Sequence, residues 1–266
     1  MIALALDFDG VLSDSAPEAF AVALEVYAEM RPASTLGLVL KEMWRRGSPL
    51  RDALTSLPAY RRFLEIMPLG NRAEDFGVAL AALDEDIHFA DQAGYDRFRV
   101  SCGVDFLEAF HHRFYAVRVA WMESDAAGWR ALMAPYGEFV AILRRHAGEV
   151  QLAIATAKDR RSVGFLLRDY GIADLFTAAL IFDKETGVSK RSHLEALRRA
   201  LGCPFGEITF IDDKVNHLDD VVTLGVGTML AKWGYNGVRE IEGARERGHE
   251  VCGLETAESR LFGGGI

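Results

Sequence analysis

The sequence predicts an α/β protein in which a doubly wound parallel sheet is interrupted by a large helical insertion. Short, continuous apolar runs alternate with helical patterns in the second half of the chain, which is typical of parallel strands covered on both faces. About 140 residues separate the first two apolar runs, far more than one crossover helix needs. The chain has 266 residues, half of them hydrophobic, which allows one large domain or two of ordinary size and a sizeable core.

Five segments have the character of buried strands. They are residues 2–6 (IALAL), 150–156 (VQLAIAT), 178–182 (AALIF), 207–211 (EITFI) and 225–231 (GVGTMLA). Helical patterns separate the last four, and two of these patterns, 160–171 and 193–202, stop at a glycine. Alternating strands and helices of this kind predict a sheet with helices on both faces.

The long stretch between the first two strands reads as mostly helical. Apolar residues recur at helical spacing in residues 19–30, 52–57, 61–67, 76–83 and 104–122. The segment Ser15-Ala16-Pro17-Glu18, where this stretch begins, matches a capping box, which predicts that Ser15 and Glu18 cap the first helix. We therefore predict a sheet domain over residues 1–15 and 133–240. An all-helical domain, residues 16–132, is inserted into it, and residues 241–266 form a C-terminal extension of the sheet domain.

The composition limits which classes of partner and which cellular compartment we expect. The formal net charge of −9 argues against nucleic acid or an anionic membrane as the main partner. Three widely spaced cysteines without a CxxC pair do not suggest a disulfide framework or a structural zinc site, and they fit a reducing compartment. The N terminus lacks the basic region of a signal peptide, and Asp7 interrupts its apolar run. We expect a cytoplasmic protein that does not bind membranes.

Acidic and hydroxyl side chains stand where three of the predicted strands end. Asp7 and Asp9 follow the first strand, Thr156 ends the second, and Asp212-Asp213 follow the fourth. The carboxyl ends of parallel strands share one edge of the sheet, where ligands bind in open α/β folds. Carboxylates gathered there repel one another, and a divalent cation held by oxygen ligands would relieve the repulsion, which points to magnesium. At any single position, a helix cap or a turn is an equally good explanation.

With these positions in view, the sequence resembles the haloacid dehalogenase superfamily. It resembles in particular phosphatase-type members with a helical cap, of the phosphoglycolate phosphatase and β-phosphoglucomutase type. The matching segments are DFDGVLSDS (7–15), LAIATAKDR (152–160), GVSKRSHLEAL (187–197) and FIDDKVNHL (210–218), and LAKWGYNG (230–237) resembles a segment often found after the fourth motif. The resemblance implies a Rossmann-like core and identifies the inserted domain as a cap.

The resemblance implies a role for each acidic residue. Asp7 is the expected nucleophile, which forms an aspartyl-phosphate, and Lys190 is expected to pair with it. Asp9 is the expected general acid and base. The Asp7 carboxylate, the Asp9 main-chain carbonyl and Asp213 would hold Mg²⁺, with Asp212 either a further ligand or a residue behind the ligands.

The phosphate is expected to bind through the second and third motifs. The resemblance assigns it to the Thr156 hydroxyl, the main-chain N–H of Ala157 and the ammonium group of Lys190. Gly10 would let the chain turn tightly beside the phosphate. If Ser189 caps the following helix, Lys190 lies in the first turn, where a bound anion would offset the unfavourable interaction with the helix dipole.

Other polar residues near the motifs have less specific explanations. Lys158 and Arg160 follow the second motif, and a solvated helix start is the preferred interpretation of both. Arg191 is expected to point into water. Asn216 and His217 follow the fourth motif and could orient Asp213 or a water molecule.

Substrate specificity is expected in the inserted domain. In WRRGSPLRDAL (44–54), Gly and Pro interrupt the helical pattern among Arg45, Arg46 and Arg51. Guanidinium groups on such a loop would bind a carboxylate or a second phosphate of the substrate in bidentate fashion. A solvated turn between two helices explains the segment equally well.

Together these features predict a magnesium-dependent phosphomonoesterase. It would act through an aspartyl-phosphate on a small phosphorylated metabolite, as a monomer or a homodimer. A phosphomutase of the same superfamily and a non-catalytic phosphate-binding module remain as alternatives. Asp9 disfavours a dehalogenase, because displacement of a halide needs no acid to protonate the leaving group.

Overall fold

The computed structural model describes residues 1–39, 50–70, 72–187 and 189–263. The chain divides into two compact units. The sheet unit consists of Met1–Asp14 and Ala134–Ile266, and the helical unit consists of Ser15–Met133. The helical unit is thus an insertion in the sequence of the sheet unit.

A parallel sheet of six strands forms the centre of the sheet unit. The strands of this unit are β1 (Ala3–Leu6), β2 (Ser13–Asp14), β3 (Ala134–Pro135), β4 (Gln151–Ala155), β5 (Ile181–Phe182), β6 (Ile208–Asp212), β7 (Gly227–Ala231) and β8 (Glu250–Cys252). The order in the large sheet is β5-β4-β1-β6-β7-β8, and every neighbouring pair is parallel. The short strands β2 and β3 pair antiparallel in a separate sheet. The predicted doubly wound parallel sheet is confirmed.

The five predicted strands are all present, and the differences lie at the edges of the sheet. Residues Ala178–Leu180, predicted as part of the third strand, form a 3₁₀ turn, and only Ile181–Phe182 pair in β5. The edge strand β8 was not predicted. Edge strands pair on one side only and are short here, so they carry too little of the apolar pattern to be recognised.

Helices build most of the helical unit. They are α1 (Ala16–Met30), α2 (Leu50–Thr55), α3 (Pro58–Ile66), α4 (Ala73–Asp84), α5 (Gln92–Ser101), α6 (Val104–Ser124) and α7 (Ala126–Ala131). The five predicted helical segments fall on α1, α2, α3, α4 and α6. A row of aromatic rings links four of these helices, from Phe20 through Phe63 and Phe76 to Phe114, with successive centroids 5.0, 5.7 and 5.3 Å apart.

The start of α1 does not use the predicted capping box. In the part of the chain that the structure describes, the Ser15 side chain makes no cap hydrogen bond. Glu18 is fully buried and accepts hydrogen bonds from Arg118 Nε and Nη2, both at 2.7 Å, and from Trp129 Nε1 at 3.0 Å. The prediction was wrong because a charged bidentate partner on a distant helix is a stronger ligand for this carboxylate than a main-chain N–H.

Helices also cover the large sheet. They are α8 (Gly137–Arg145), α9 (Arg160–Asp169), α10 (Lys190–Leu201), α11 (Val215–Val222), α12 (Val238–Glu246) and α13 (Leu254–Phe262). One face of β1 and β6 packs in a cluster with Leu194 and Leu197 of α10 and Leu218 of α11. Residues of the other face, such as Leu4 and Leu6, are also fully buried. Among the helices of the described ranges, none combines the length and apolarity needed to span a membrane.

Candidate active site

Three of the predicted site residues of the sheet unit lie at the carboxyl ends of three adjacent strands. Asp7 follows β1, Thr156 follows β4, and Asp212 is the last residue of β6. β1 lies between β4 and β6, and the ladder continues past it, since Asp7 N donates to Ile211 O at 2.9 Å. Thr156 N donates to Phe182 O at 2.9 Å in the same way. The register of the sheet therefore sets the positions of these residues.

Lys190 joins the carboxylates of two of these strands. Its Nζ lies 2.7 Å from Asp7 Oδ1 and 3.1 Å from Asp212 Oδ2, and it donates to Ala155 O at 2.7 Å. Lys190 is the first residue of α10, and the Ser189 side chain caps this helix by accepting from Ser192 N. The structure thus brings Lys190 and Asp7 together, as the resemblance implies.

Burial and charge oppose each other in this buried triad of Lys190, Asp7 and Asp212. At Asp7, burial outweighs the charge of Lys190, so the pKa of Asp7 is raised. At Lys190, burial acts to lower the pKa, but the carboxylates of Asp212 and Asp7 outweigh it and raise the pKa. At Asp212, burial is likewise outweighed, here by the charges of His217 and Lys190, and the pKa of Asp212 is lowered. The lysine therefore stays charged among the carboxylates.

Both oxygens of Asp212 have several partners. Lys214 N donates to Oδ1 at 3.0 Å, and His217 Nδ1 lies 3.1 and 3.0 Å from Oδ1 and Oδ2. His217 was expected to orient Asp213 or water, whereas it contacts Asp212. Asn216 is exposed. Of the two predicted positions for Asp212, these contacts favour the one behind the predicted metal ligands.

The neighbouring Asp213 has a hydrogen-bond partner on one carboxylate oxygen and, among the described residues, none on the other. Its Oδ2 accepts from Tyr235 N at 2.8 Å, whereas its buried Oδ1 has no hydrogen-bond partner among the described residues. Burial, and then the charges of Asp212 and Asp7, raise the pKa of Asp213 well above its usual value. A buried oxygen left without a partner is unfavourable, and a cation would satisfy it.

The residues present fit a hard divalent cation. Asp7, Asp212 and His217 offer ligand atoms that lie within 4.8 Å of one another. Asp213 is not part of this group, but it directly follows Asp212 in the sequence, and its buried Oδ1 has no hydrogen-bond partner among the described residues. Carboxylate and carbonyl oxygens are the ligands that Mg²⁺ prefers, and clustered acidic groups repel one another without it. This group and the predicted metal site share Asp7 and Asp212, which supports a metal site at this edge of the sheet. The predicted ligand set of Asp7, Asp9 and Asp213 stays a prediction.

Two glycines make room for Asp213. A Cβ atom at Gly10 would lie 2.3 Å from Asp213 Oδ2, and Gly10 has a φ of +88°, which side chains rarely tolerate. A Cβ atom at Gly234 would lie 2.3 Å from the Cβ of Asp213 and 2.5 Å from Gly10 O. The turn of Gly10 beside the phosphate stays a prediction; the contact with Asp213 is an additional reason for a glycine at this position.

Residues 233–236 bind both Asp213 and the loop after β1. Trp233 Nε1 donates to Val11 O at 3.1 Å, and Asn236 Nδ2 donates to Asp213 O at 3.2 Å. Tyr235 contributes the main-chain N–H to Asp213 described above. Sequence reasoning assigned these residues no role, although their segment was part of the resemblance.

Lys158 is a second residue that sequence reasoning misjudged. It was expected at a solvated helix start, but it is only 5% exposed, and its Nζ donates to both oxygens of Asp9 at 3.0 and 3.2 Å. Its main-chain N donates to the Thr156 hydroxyl at 3.1 Å. The adjacent Ala157 is exposed. The error arose because Asp9 and Lys158 are distant in sequence, and only the parallel pairing of β1 with β4 brings them together.

Two arginines make contacts that were not predicted. Arg160 begins α9 and its side chain is 49% exposed, as expected for a solvated helix start, and its Nε also donates to the buried Asp183 Oδ2 at 3.1 Å. Arg191 was expected to point into water, yet its Nη2 donates to Asp220 O at 2.7 Å. Both side chains therefore stabilise neighbouring segments of the sheet unit.

The predicted specificity segment lies mostly outside the described residues. This applies to Arg45 and Arg46. Arg51 is described, and it belongs to α2 instead of a loop. Its Nη1 donates to Leu132 O at 2.7 Å within the helical unit. Substrate binding by these three arginines stays a prediction.

Comparison with known proteins gives a family match. The model of a family described as "haloacid dehalogenase-like hydrolase" matches residues 1–219. A search of curated proteins returned no significant match.

Several solved structures resemble this chain. A predicted phosphoglycolate phosphatase from Haemophilus somnus 129PT is 15% identical, with a TM-score of 0.61, and the match covers 98% of this chain and 96% of the other. A HAD family hydrolase from Deinococcus radiodurans R1, with bound phosphate and sodium, is 19% identical, with a TM-score of 0.58 and coverage of 97% and 94%. A predicted phosphatase from Clostridium acetobutylicum is 12% identical, with a TM-score of 0.57 and coverage of 98% of both chains. Identities this low establish a shared fold alone.

Proposed function

We propose, on the premise that this chain belongs to the haloacid dehalogenase-like hydrolase family, that it is a magnesium-dependent phosphomonoesterase acting through an aspartyl-phosphate on Asp7. The observation that carries this proposal is the buried triad of Lys190, Asp7 and Asp212, together with Asp213 Oδ1, which has no hydrogen-bond partner among the described residues. The Lys190 cation, which already pairs with Asp7, suits an anionic substrate. The Asp213 oxygen that lacks a partner among the described residues suits a metal ion.

In the first step, the Asp7 carboxylate attacks phosphorus. A bond forms between an Asp7 oxygen and phosphorus, and the bond from phosphorus to the ester oxygen breaks. The ester oxygen leaves with that electron pair and takes a proton from the Asp9 carboxyl group. The Thr156 hydroxyl and the Lys190 ammonium group bind the phosphoryl oxygens as negative charge redistributes among them.

In the second step, water hydrolyses the aspartyl-phosphate. The Asp9 carboxylate, now without its proton, takes a proton from the attacking water. The water oxygen bonds to phosphorus while the bond between phosphorus and the Asp7 oxygen breaks, so that the Asp7 carboxylate is regenerated and inorganic phosphate is released. The exposed fraction of the Asp9 side chain, 35%, is consistent with a group that exchanges protons with a leaving group and with water.

The residues that would hold Mg²⁺ are the Asp7 and Asp213 carboxylates and the main-chain carbonyl of Asp9. When bound, the ion offsets the repulsion between an anionic nucleophile and an anionic phosphate ester. Asp212 would support this set through its contacts with Lys190 and His217.

The substrate is proposed to be a small phosphorylated metabolite, and the helical unit is proposed to act as the cap that recognises it. One structural neighbour is described as a predicted phosphoglycolate phosphatase, and another contains phosphate. The cysteines Cys102, Cys203 and Cys252 are all free, which fits the proposed cytoplasmic location.

Release of inorganic phosphate tests the proposal. Purified protein should release phosphate from an aryl phosphate and from members of a panel of sugar, nucleotide and carboxylic acid phosphates, and a chelator should abolish release. Asp7→Asn should abolish turnover, because an amide is nearly isosteric with the carboxylate but far less nucleophilic. The variant must be prepared free of contaminating phosphatase and shown to be folded by circular dichroism.

Three results would contradict the proposal. Asp7→Asn with activity within tenfold of wild type would exclude the covalent route. Isomerisation of a sugar phosphate without release of phosphate would indicate a phosphomutase instead. Phosphate binding without turnover of any ester would indicate a binding module.

A further inference from the structure

The contact between Lys158 and Asp9 has no role in the mechanism above. Lys158 Nζ donates to both carboxylate oxygens of Asp9, at 3.0 and 3.2 Å. The lysine side chain is 2% exposed, whereas that of Asp9 is 35% exposed. Burying an ammonium group is costly unless a carboxylate pairs with it. The buried ammonium group of Lys158 therefore depends on its two hydrogen bonds to Asp9. The same two bonds restrict rotation of the partly exposed Asp9 carboxyl group.

Neighbouring groups in the sheet unit fix Lys158 in turn. Its main-chain N donates to Thr156 Oγ1 at 3.1 Å, which ties it to the end of β4. Its Nζ lies 5.9 Å from the ring centroid of Phe8, the residue between Asp7 and Asp9. The Phe8 ring is fully buried and stacks on Tyr170, with centroids 6.5 Å apart and planes 7° from parallel. The hydrogen bond to Thr156 and the packed ring of Phe8 therefore fix the position of Lys158.

We propose that Lys158 is a positioning residue that holds the Asp9 carboxyl group in the orientation needed to protonate the leaving oxygen. This inference rests on the proposed function. In the step concerned, an Asp7 oxygen bonds to phosphorus, the ester oxygen leaves with its electron pair, and Asp9 supplies the proton. A short side chain that can rotate away delivers this proton less often, and small misplacements of a catalytic group are expensive.

The leaving group distinguishes this role from others. An alkyl phosphate releases a strongly basic alkoxide, so loss of a well-placed acid slows cleavage of its P–O bond. 2,4-Dinitrophenyl phosphate releases a weakly basic phenolate that needs no proton. Because kcat/KM reports only the steps up to release of the leaving group, it isolates the acid from the later hydrolysis of the phosphoenzyme. A lysine that bound phosphate would matter equally for both esters.

The test compares Lys158→Met with wild type on one alkyl phosphate that the wild type hydrolyses and on 2,4-dinitrophenyl phosphate. Methionine retains much of the volume, and the main-chain bond to Thr156 is preserved. We expect kcat/KM to fall roughly 100-fold for the alkyl ester, the scale of general acid catalysis, and less than about threefold for the aryl ester. Lys158→Arg, which can still donate to Asp9, should recover part of the alkyl activity. Lys232→Ala, at an exposed lysine, is the control.

Asp9→Asn provides the benchmark. It should show the same selective loss, and the double variant Asp9→Asn/Lys158→Met should lose little more on the alkyl ester, since the lysine acts through Asp9. Equal losses on the two esters, or no loss on either, would overturn the inference. Circular dichroism melts identify a folding defect; if Lys158→Met does not fold, Lys158→Arg and Lys158→Gln are judged by the same ratio of losses.

Failure of the inference can be told apart from failure of the proposed function. A wild-type protein that hydrolyses neither ester overturns the proposed function, and the inference with it. An active wild type whose Lys158 variants lose activity without regard to the leaving group overturns the inference alone.

Discussion

Gly234 lies against the carboxylate of Asp213. A Cβ atom added at Gly234 would be 2.3 Å from the Cβ of Asp213 and 2.5 Å from Gly10 O. The first of these atoms belongs to a short side chain and the second to the main chain, so displacing either one is energetically costly. The position of Asp213 thus depends on the absence of a side chain at a residue that is itself neither acidic nor polar.

Gly234→Ala should weaken Mg²⁺ binding at least tenfold. The added methyl group would displace Asp213, whose Oδ1 is the proposed ligand atom. Isothermal titration calorimetry of Mg²⁺ into the metal-free protein measures the effect independently of activity. Gly243→Ala is the matched control, because within the described residues no atom lies within 4 Å of the place its methyl group would take. Wild-type affinity in Gly234→Ala would show that Asp213 is not a ligand.

Lys190→Met should destabilise the metal-free protein by about 3 kcal/mol, because removal of the lysine cation leaves buried carboxylates without a compensating charge. Lys190 pairs with the buried carboxylates of Asp7 and Asp212. Urea unfolding in chelator measures the free energy of unfolding, and Lys184→Met at an exposed turn is the control. A change below about 1 kcal/mol would mean that the carboxylates do not depend on Lys190 for their charge balance.

Arg118→Met should destabilise the helical unit by about 3 kcal/mol, since it strips the fully buried Glu18 of both its guanidinium bonds. Arg113 lies on the same helix as Arg118 and pairs with Glu29 of α1, and both side chains of this pair are exposed. It offers a control, because exposed pairs contribute little. Arg113→Met should therefore unfold with nearly the wild-type midpoint in urea. Equal destabilisation by both variants would contradict the proposed importance of Glu18.

His146 should titrate above its ordinary pKa of 6.5. A hydrogen bond to Glu258 is the largest cause that raises the pKa of His146, and a second bond, to Glu149, adds to it. Burial acts in the opposite direction and does not cancel them. Glu258 remains ionised in this range, since its pKa is lowered to about 2 by Arg145 and His146. NMR titration of the ring protons measures the pKa, and a value at or below 6.5 would contradict the prediction.

The raised pKa of His146 also predicts a pH-dependent stability. A folded-state pKa above the unfolded value stabilises the fold fully below pH 6.5, and the contribution disappears as the pH rises through the folded-state value. His146→Gln should therefore lower the urea midpoint more at about pH 5.5 than at about pH 9. The stacking of His146 on Phe262, with centroids 4.1 Å apart, is present at both pH values and does not alter this difference. A pH-independent effect would attribute the role of His146 to stacking alone.

Local patterns in the sequence determined the architecture and pointed to the candidate site residues. Buried parallel strands are continuous apolar runs, so β1, β4, β6 and β7 could be predicted with nearly correct bounds. Parallel strands end at one edge of their sheet, so the carboxylates and the threonine that follow them could be expected together. The family match covers the same motifs. The edge strand β8 escaped prediction because three residues do not establish a period.

Only the tertiary structure decided which partner each charged residue has. Glu18 matched a local capping pattern, but its partners are Arg118 and Trp129, on distant helices. Lys158 looked like a solvated lysine, but the pairing of β1 with β4 buries it against Asp9. A charged side chain binds whichever opposite charge the packing places beside it, and the strength of that contact depends on burial. Sequence periodicity reports which face of an element is apolar, and it contains no information on these long-range pairings or on the burial that strengthens them.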